Sequence, residues 1–319
     1  MLTALGQRAR AWVSGTQPWT NVYGLARTVL ALGTAGTLLF SHSTSLFRPG
    51  ARVPEVPQCA GVRQASLFCL VPSDSLEVAR WLAVILLLVV ASGWRPRVTG
   101  LLHWWVTASL SVSALLLDGG DQVAAVLSFL LVPLALTDPR RWHWSAPPPP
   151  QAEPRDEQAR LVAHSSHLAT RLQMAGIYLH ASVGKLKVEE WADGTALYYW
   201  MTNNLLGVPN WLQQMLMPLL TRPVVALLTW GVLVFEFLLF MALTFDRPAR
   251  RLLLPLGIGF HLTIMVAYGL TSFFASMSAG LILLLRPLDE PFNFEPVWSR
   301  LKALVPQRTK GSSASVGQA

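Results

Sequence analysis

Charge is what this chain of 319 residues has least of. Asp, Glu, Lys and Arg make up 13% of it, where soluble domains carry roughly 25%. That shortage excludes an ordinary soluble domain. The 52% of apolar residues also gather in blocks, several of which reach the ~20 residues that a bilayer-spanning helix needs. Other signatures are missing too. No HExxH or clustered His/Asp pattern occurs, so no metal is expected. There is no phosphate-binding glycine loop and no G-x-S-x-G nucleophile elbow. No basic run with interleaved aromatics occurs, so the net charge of +8 speaks for cytoplasmic loops rather than for nucleic acid. The first apolar block lacks a small-residue cleavage site and reads as a retained anchor.

What is present reads as an all-α, polytopic membrane helix bundle. Eight candidate spans fall at about 20–40, 79–93, 99–117, 122–137, 171–188, 224–245, 252–269 and 271–286. With both termini cytoplasmic, the inner segments hold 17 of the 25 basic residues and the outer ones 7, while Arg27 lies inside the first span. The expected organisation is a cytoplasmic N-terminus (1–18), a membrane domain (19–290) and a partly disordered cytoplasmic tail (291–319). "SAPPPPQAEPRDEQAR", 145–160, reads as an extended cytoplasmic linker between two four-helix halves. "DGGD", 118–121, reads as a tight outer turn, with Asp118 and Asp121 as candidates for an outer vestibule. In the outer segment 189–222, Trp211, Leu212, Met215, Leu216 and Leu219 share a helical face, the pattern of an interfacial or capping amphipathic helix. Trp191, Tyr198, Tyr199 and Trp200 suit an interfacial aromatic belt. Cys59 and Cys69, the two cysteines, both lie in the first outer loop. A disulfide or two free thiols are both open there, and an oxidising compartment favours the disulfide.

Ionisable groups within spans need a partner or a cavity. Glu236 lies near the middle of the sixth span and His261 near the middle of the seventh, so adjacent helices could join them as a buried tie or a proton path. Lys185 is one turn from the end of the fifth span, with Ser182 and Tyr178 on its face and Glu189 four residues on. Periodicity leaves two readings. Lys185 snorkels outward to pair with Glu189, or it faces the bundle as a candidate general base.

The stretch "YLHASVGKLKVEEWADGTALYYW", 178–200, resembles the signature of the HTTM domain, the membrane domain shared with vitamin K-dependent gamma-carboxylases. The matching features are Lys185-Leu186, Glu189-Glu190, Trp191, Gly194 and Tyr198-Tyr199, followed by Glu236 and Phe260-His261. The resemblance implies a base role for Lys185, with Glu236 and His261 behind it. The segment after the last span holds no large lumenal domain of the carboxylase kind, so carboxylation itself is not expected.

A closer resemblance, over 17–290, is to the sporulation-delaying protein B family. It is carried by "TNVYGLARTVLALGT", "SLFCL", "VASGWRPRVTGLLHWWV", "DGGDQV", "LTDPRRWHW" and the 178–200 stretch. It implies a bacterial cell-membrane protein needed, with a small A-type partner protein, to produce a secreted peptide toxin from a C-type precursor. A quinone-like cofactor entering from the lipid would suit the lysine reading, but the sequence carries no motif for one. Whether the chain is an enzyme or a scaffold for the precursor stays open at this level, with a transporter or an immunity-type receptor as the alternative class.

Overall fold

The computed structural model describes residues 6, 11, 13, 15–50, 56–115, 117–149, 153–204 and 207–295. Most of the expected N-terminal segment, the centre of the proline-rich stretch and the tail from 296 onward lie outside the described residues. What is described is all-α. Nine helices carry the architecture: α1 (Asn21–Phe40), α2 (Leu76–Ser92), α3 (Pro96–Ser113), α4 (Gly119–Leu130), α5 (Val132–Thr137), α6 (Pro154–Lys185), α7 (Arg222–Met241), α8 (Arg247–Tyr268) and α9 (Thr271–Leu285).

Four segments are long and apolar enough to cross a membrane: Asn21–Phe40, Ser73–Ser92, Arg222–Met241 and Arg247–Tyr268. Thr271–Leu285 is apolar but shorter. Their burial differs in a telling way: 61% of the α1 window is inside the protein, against 28% for α7 and 17% for α8. Large apolar side chains such as Leu227, Val234, Leu252, Leu256 and Val266 therefore face outward. A water-soluble protein does not expose apolar patches on that scale. This is a membrane protein.

Local chemistry sets the helix ends. Thr20, Asp118 and Asp246 accept hydrogen bonds from backbone N–H groups in the first turns of α1, α4 and α8. Gly93 and Gly269 adopt left-handed conformations just past α2 and α8, where a side chain would be strained. Pro133 lacks the N–H a continuing helix would need, and the apolar run at 122–137 breaks at Leu131 into α4 and α5. The loops of "GWRPRVTG" and "LTDPRRWHW" are joined by Arg95 N to Arg141 O (2.7 Å) and His143 N to Gly93 O (3.0 Å).

Two expectations need correction. The stretch 145–160 is not extended throughout, because α6 starts at Pro154, with proline at the helix start and Asp156 and Glu157 in the first turn. "DGGD" is a helix start rather than a tight turn: Asp118 Oδ1 accepts from Gly120 N (2.8 Å) and Asp121 N (3.1 Å). Its glycines serve packing. A Cβ on Gly120 would lie 2.3 Å from the Phe273 backbone, so glycine lets α4 reach the start of α9.

The bundle is closed by its last helix. α9 packs on α1, α4, α6 and α8, and α1 packs on α2, α4 and α9. Gly33 of α1 opposes Ala275 of α9, where an added Cβ would come within 2.8 Å. One apolar core joins α1, α4, α5, α6 and α9 to the inner faces of α7 and α8, and a second lies between α1, α2, α3 and the loop around Phe47 and Phe68. The two sequence halves therefore share one interior.

Candidate functional site

Lys185 is the last residue of α6, and its ammonium turns into the bundle. Nζ donates to Glu236 Oε1 (2.5 Å) and Oε2 (2.6 Å) on α7. The lysine side chain is 26% exposed and the glutamate 9%. Of the two placements open from periodicity, the structure has the inward one, with Glu236 rather than Glu189 as the partner.

The same face of α6 supplies the neighbouring contacts, because positions 178, 182 and 185 recur at helical spacing. Ser182 Oγ donates to Leu233 O on α7 (3.0 Å). Tyr178 Oη and His261 Nε2 of α8 are 2.9 Å apart, and the imidazole tautomer decides which of them donates. All three α6 side chains thus hold a neighbouring helix, two of them α7 and one α8. The expected Glu236–His261 tie does not form: each residue takes an α6 partner instead. The His261 ring otherwise packs edge-on against Phe260 and Phe273, and its Nδ1 has no hydrogen-bond partner among the described residues.

The segment after α6 folds back over the lysine. Trp191 sits in a one-turn helix, Glu189–Ala192, is 8% exposed, and places its ring centroid 5.1 Å from Lys185 Nζ. Gly194 makes the return with φ 84° and lies so close to α7 that a Cβ would come 3.0 Å from Ala226 Cβ. Trp230 Nε1 donates to Ala192 O (3.3 Å), and Leu197 N to Thr229 Oγ1 (3.3 Å). The ammonium is therefore held between a carboxylate and an indole face. Beyond it, Tyr198, Tyr199 and Trp200 are exposed, and the helix Asn210–Leu216 exposes Trp211 and Met215.

The other candidates lie apart from this centre. Thr37 Oγ1 donates to Asp121 Oδ2 (2.8 Å), and Ser272 Oγ donates to Asp118 Oδ2. Asp121 is 2% exposed. The two carboxylates tie α1, α4 and α9 together. Cys59 and Cys69 are joined in a disulfide that closes part of the 41–75 loop.

Sequence reasoning missed a buried polar group near the start of α1. Arg27, 1% exposed, donates through Nη2 to Thr99 Oγ1 (2.6 Å), with Tyr23, His103 and His143 also buried. Close by, Arg140 pairs with Asp138 (2.8 Å) and donates to His143 O (2.7 Å). Its signals were a charged residue inside a span and the "TDPRRWHW" stretch.

Comparison with known proteins gives the family. SdpB, the sporulation-delaying protein of Bacillus subtilis (strain 168), is 35% identical over 281 residues, 88% of this chain and 85% of SdpB. The chain belongs to the SdpB family. A second relative from the same organism, the uncharacterized protein YitO, is 40% identical over 296 residues, covering 92% of this chain and 94% of YitO. No family model matches the chain, and no solved structure matches it. Both alignments are long enough to include α6 and α7, the helices that carry the pair in this SdpB-family chain.

Proposed function

We propose that this chain is an eight-span protein of the bacterial cell membrane, with both termini cytoplasmic, that matures a secreted antimicrobial peptide. In this reading it acts at its outer face with a small A-type partner on a C-type toxin precursor, as the likeness to SdpB suggests. The membrane domain is of the HTTM kind. α1, α2, α3, α4 with α5, α6, α7, α8 and α9 are the spans, and Asn210–Leu216 lies along the outer interface.

The observation that carries the chemical part is the Lys185–Glu236 pair under Trp191. A lysine held as an ammonium by a carboxylate can pass its proton to that carboxylate and then accept one from a bound substrate. Tyr178 and His261 lie behind it as a second hydrogen-bonded couple that orients α8 against α6. Trp191 is the group an incoming substrate would displace to reach Nζ.

The test is intact-mass analysis of the peptide secreted by a host carrying the partner and precursor genes. The host would express the wild-type chain, no chain, or Lys185→Ala at matched membrane abundance. Mature peptide with wild type and none with Lys185→Ala supports the chemistry. Identical peptide from both makes the lysine structural and leaves a scaffold. Mature peptide in the absence of the chain ends the maturation reading and favours the immunity or transport class.

A further inference from the structure

Beside the middle of α6, where Arg171 lies about 21 Å from Lys185 by helical rise, the structure has a cavity of about 260 Å³. Its lining includes Arg171 of α6, Arg247 and Arg250 from the first turn of α8, Arg286 just past α9, and His164 and His167 of α6. Among the described residues, Asp289 is the one acidic residue of the lining, so four arginines face one carboxylate there.

The hydrogen bonds show which arginines remain available. Arg247 pairs with Asp289 (3.2 Å) and Glu290 (3.1 Å), and Arg251, outside the lining, also pairs with Glu290 (2.9 Å). The Asp289 and Glu290 carboxylates are therefore engaged, and that of Asp246 caps α8 by accepting from Ala249 N. The remaining guanidiniums meet backbone carbonyls: Arg171 Nε donates to Leu284 O (3.2 Å), Arg250 Nε to Asp246 O (3.4 Å), and Arg286 through Nε to Glu290 O (2.8 Å) and through Nη2 to Pro291 O (3.1 Å), with one face over the Phe292 ring. Each carbonyl occupies part of a fork that has five N–H donors. The His167 imidazole hydrogen-bonds Leu283 O (2.9 Å).

Helix energetics do not account for the placement. Arg247 and Arg250 lie in the first turn of α8, where the helix dipole disfavours cations and favours an anion. Planar guanidinium forks from three separate elements, converging on one cavity, form the arrangement that binds a tetrahedral oxyanion by paired N–H contacts. The cavity also lies where the apolar helices α8 and α9 end, the level at which lipid phosphates sit.

We propose that this cavity is a binding site for a phosphate group, carried by an anionic phospholipid headgroup or free in solution, seated among Arg171, Arg250 and Arg286. The site is independent of the Lys185 chemistry. Only its assignment to the cytoplasmic side rests on the proposed topology.

The test uses the full chain purified in a neutral detergent. One arm offers phosphatidylglycerol or phosphatidylcholine and counts lipid retained per protein by native mass spectrometry. The other titrates inorganic phosphate against chloride at matched ionic strength and follows thermal unfolding. The variant is Arg250→Gln/Arg286→Gln, and the control is Arg251→Gln, nearby but outside the lining. Wild type is expected to bind at least one probe, with affinity falling about tenfold or more in the double variant and little in the control. Binding of the lipid alone identifies a headgroup site, and stabilisation by phosphate as well identifies a site for the free anion. Equal loss in the control, or no loss in the double variant, overturns the proposal. If the double variant does not fold, phenylglyoxal labelling of wild type decides. Protection of Arg250 and Arg286, but not Arg251, by either probe supports the site, and no protection removes it.

Discussion

Replacing the two members of the Lys185–Glu236 pair by apolar residues, singly and together, separates a structural tie from a chemical one. Lys185→Met leaves the Glu236 carboxylate, 9% exposed, without its cation. Removing one partner of a buried pair costs about 3–5 kcal/mol, and the 26% exposure of Lys185 puts this case near the lower end, about 3 kcal/mol. Glu236→Leu should cost less, about 1 kcal/mol, because the freed lysine lies at the end of α6 and can extend toward headgroups. The double variant Lys185→Met/Glu236→Leu exchanges the pair for packed apolar groups and should fall within about 1 kcal/mol of wild type. The expected coupling is therefore roughly 3–5 kcal/mol, well above the ~0.5 kcal/mol scatter of independent sites. Tryptophan-fluorescence unfolding in one detergent measures it, alongside the secreted-peptide assay. A coupling below about 0.5 kcal/mol would refute the argument, because the contact would then be no stronger than a solvent-exposed pair. A double variant that is stable and still matures peptide would show that the lysine serves the fold alone.

Three further outcomes follow from the geometry. Tyr178→Phe removes the hydroxyl at His261 Nε2 and should lower stability by about 1–3 kcal/mol, read in the same unfolding assay, with Tyr198→Phe at an exposed site as an unaffected control. Gly120→Ala forces a methyl into the Phe273 backbone and should cost about 1–3 kcal/mol or lower membrane yield, whereas Gly231→Ala, which meets nothing within 4 Å, should be silent. The Cys59–Cys69 disulfide should block thiol-reactive polyethylene glycol until reductant is added. Cys59→Ser/Cys69→Ser should loosen the loop by about 2–3 kcal/mol and admit protease there sooner.

Much of the helix architecture was legible in the sequence, because apolar blocks and their breaks are local signals. The face of α6 bearing Tyr178, Ser182 and Lys185 could be read from spacing alone. Which side chain met which could not. Glu236 and His261 each looked for a partner in a span, but spacing along one helix does not fix the rotation of its neighbour. The structure gives both partners to α6. Asp118 illustrates the limit of local reading: Asp-Gly-Gly suits a turn and a helix cap equally, and the close approach of Phe273 decides for the cap. The arginine cavity was invisible for a different reason. Arg171, Arg250 and Arg286 carry no local signal beyond that of basic residues at span edges, and only tertiary packing brings their three elements together.

The contact between α9 and α1 also has a consequence in time. More than two hundred residues separate the end of α1 at Phe40 from the start of α9 at Thr271. At ordinary synthesis rates that is roughly 10–45 s between the emergence of the two helices. Until α9 arrives Asp118 lacks Ser272, and the face of α1 at Gly33 lacks Ala275. The nascent protein therefore waits in the bilayer with an open seam. A ribosome that stops before Thr271 leaves a chain whose spans are inserted but whose bundle cannot shut, a form that membrane quality control can recognise by its unfilled seam.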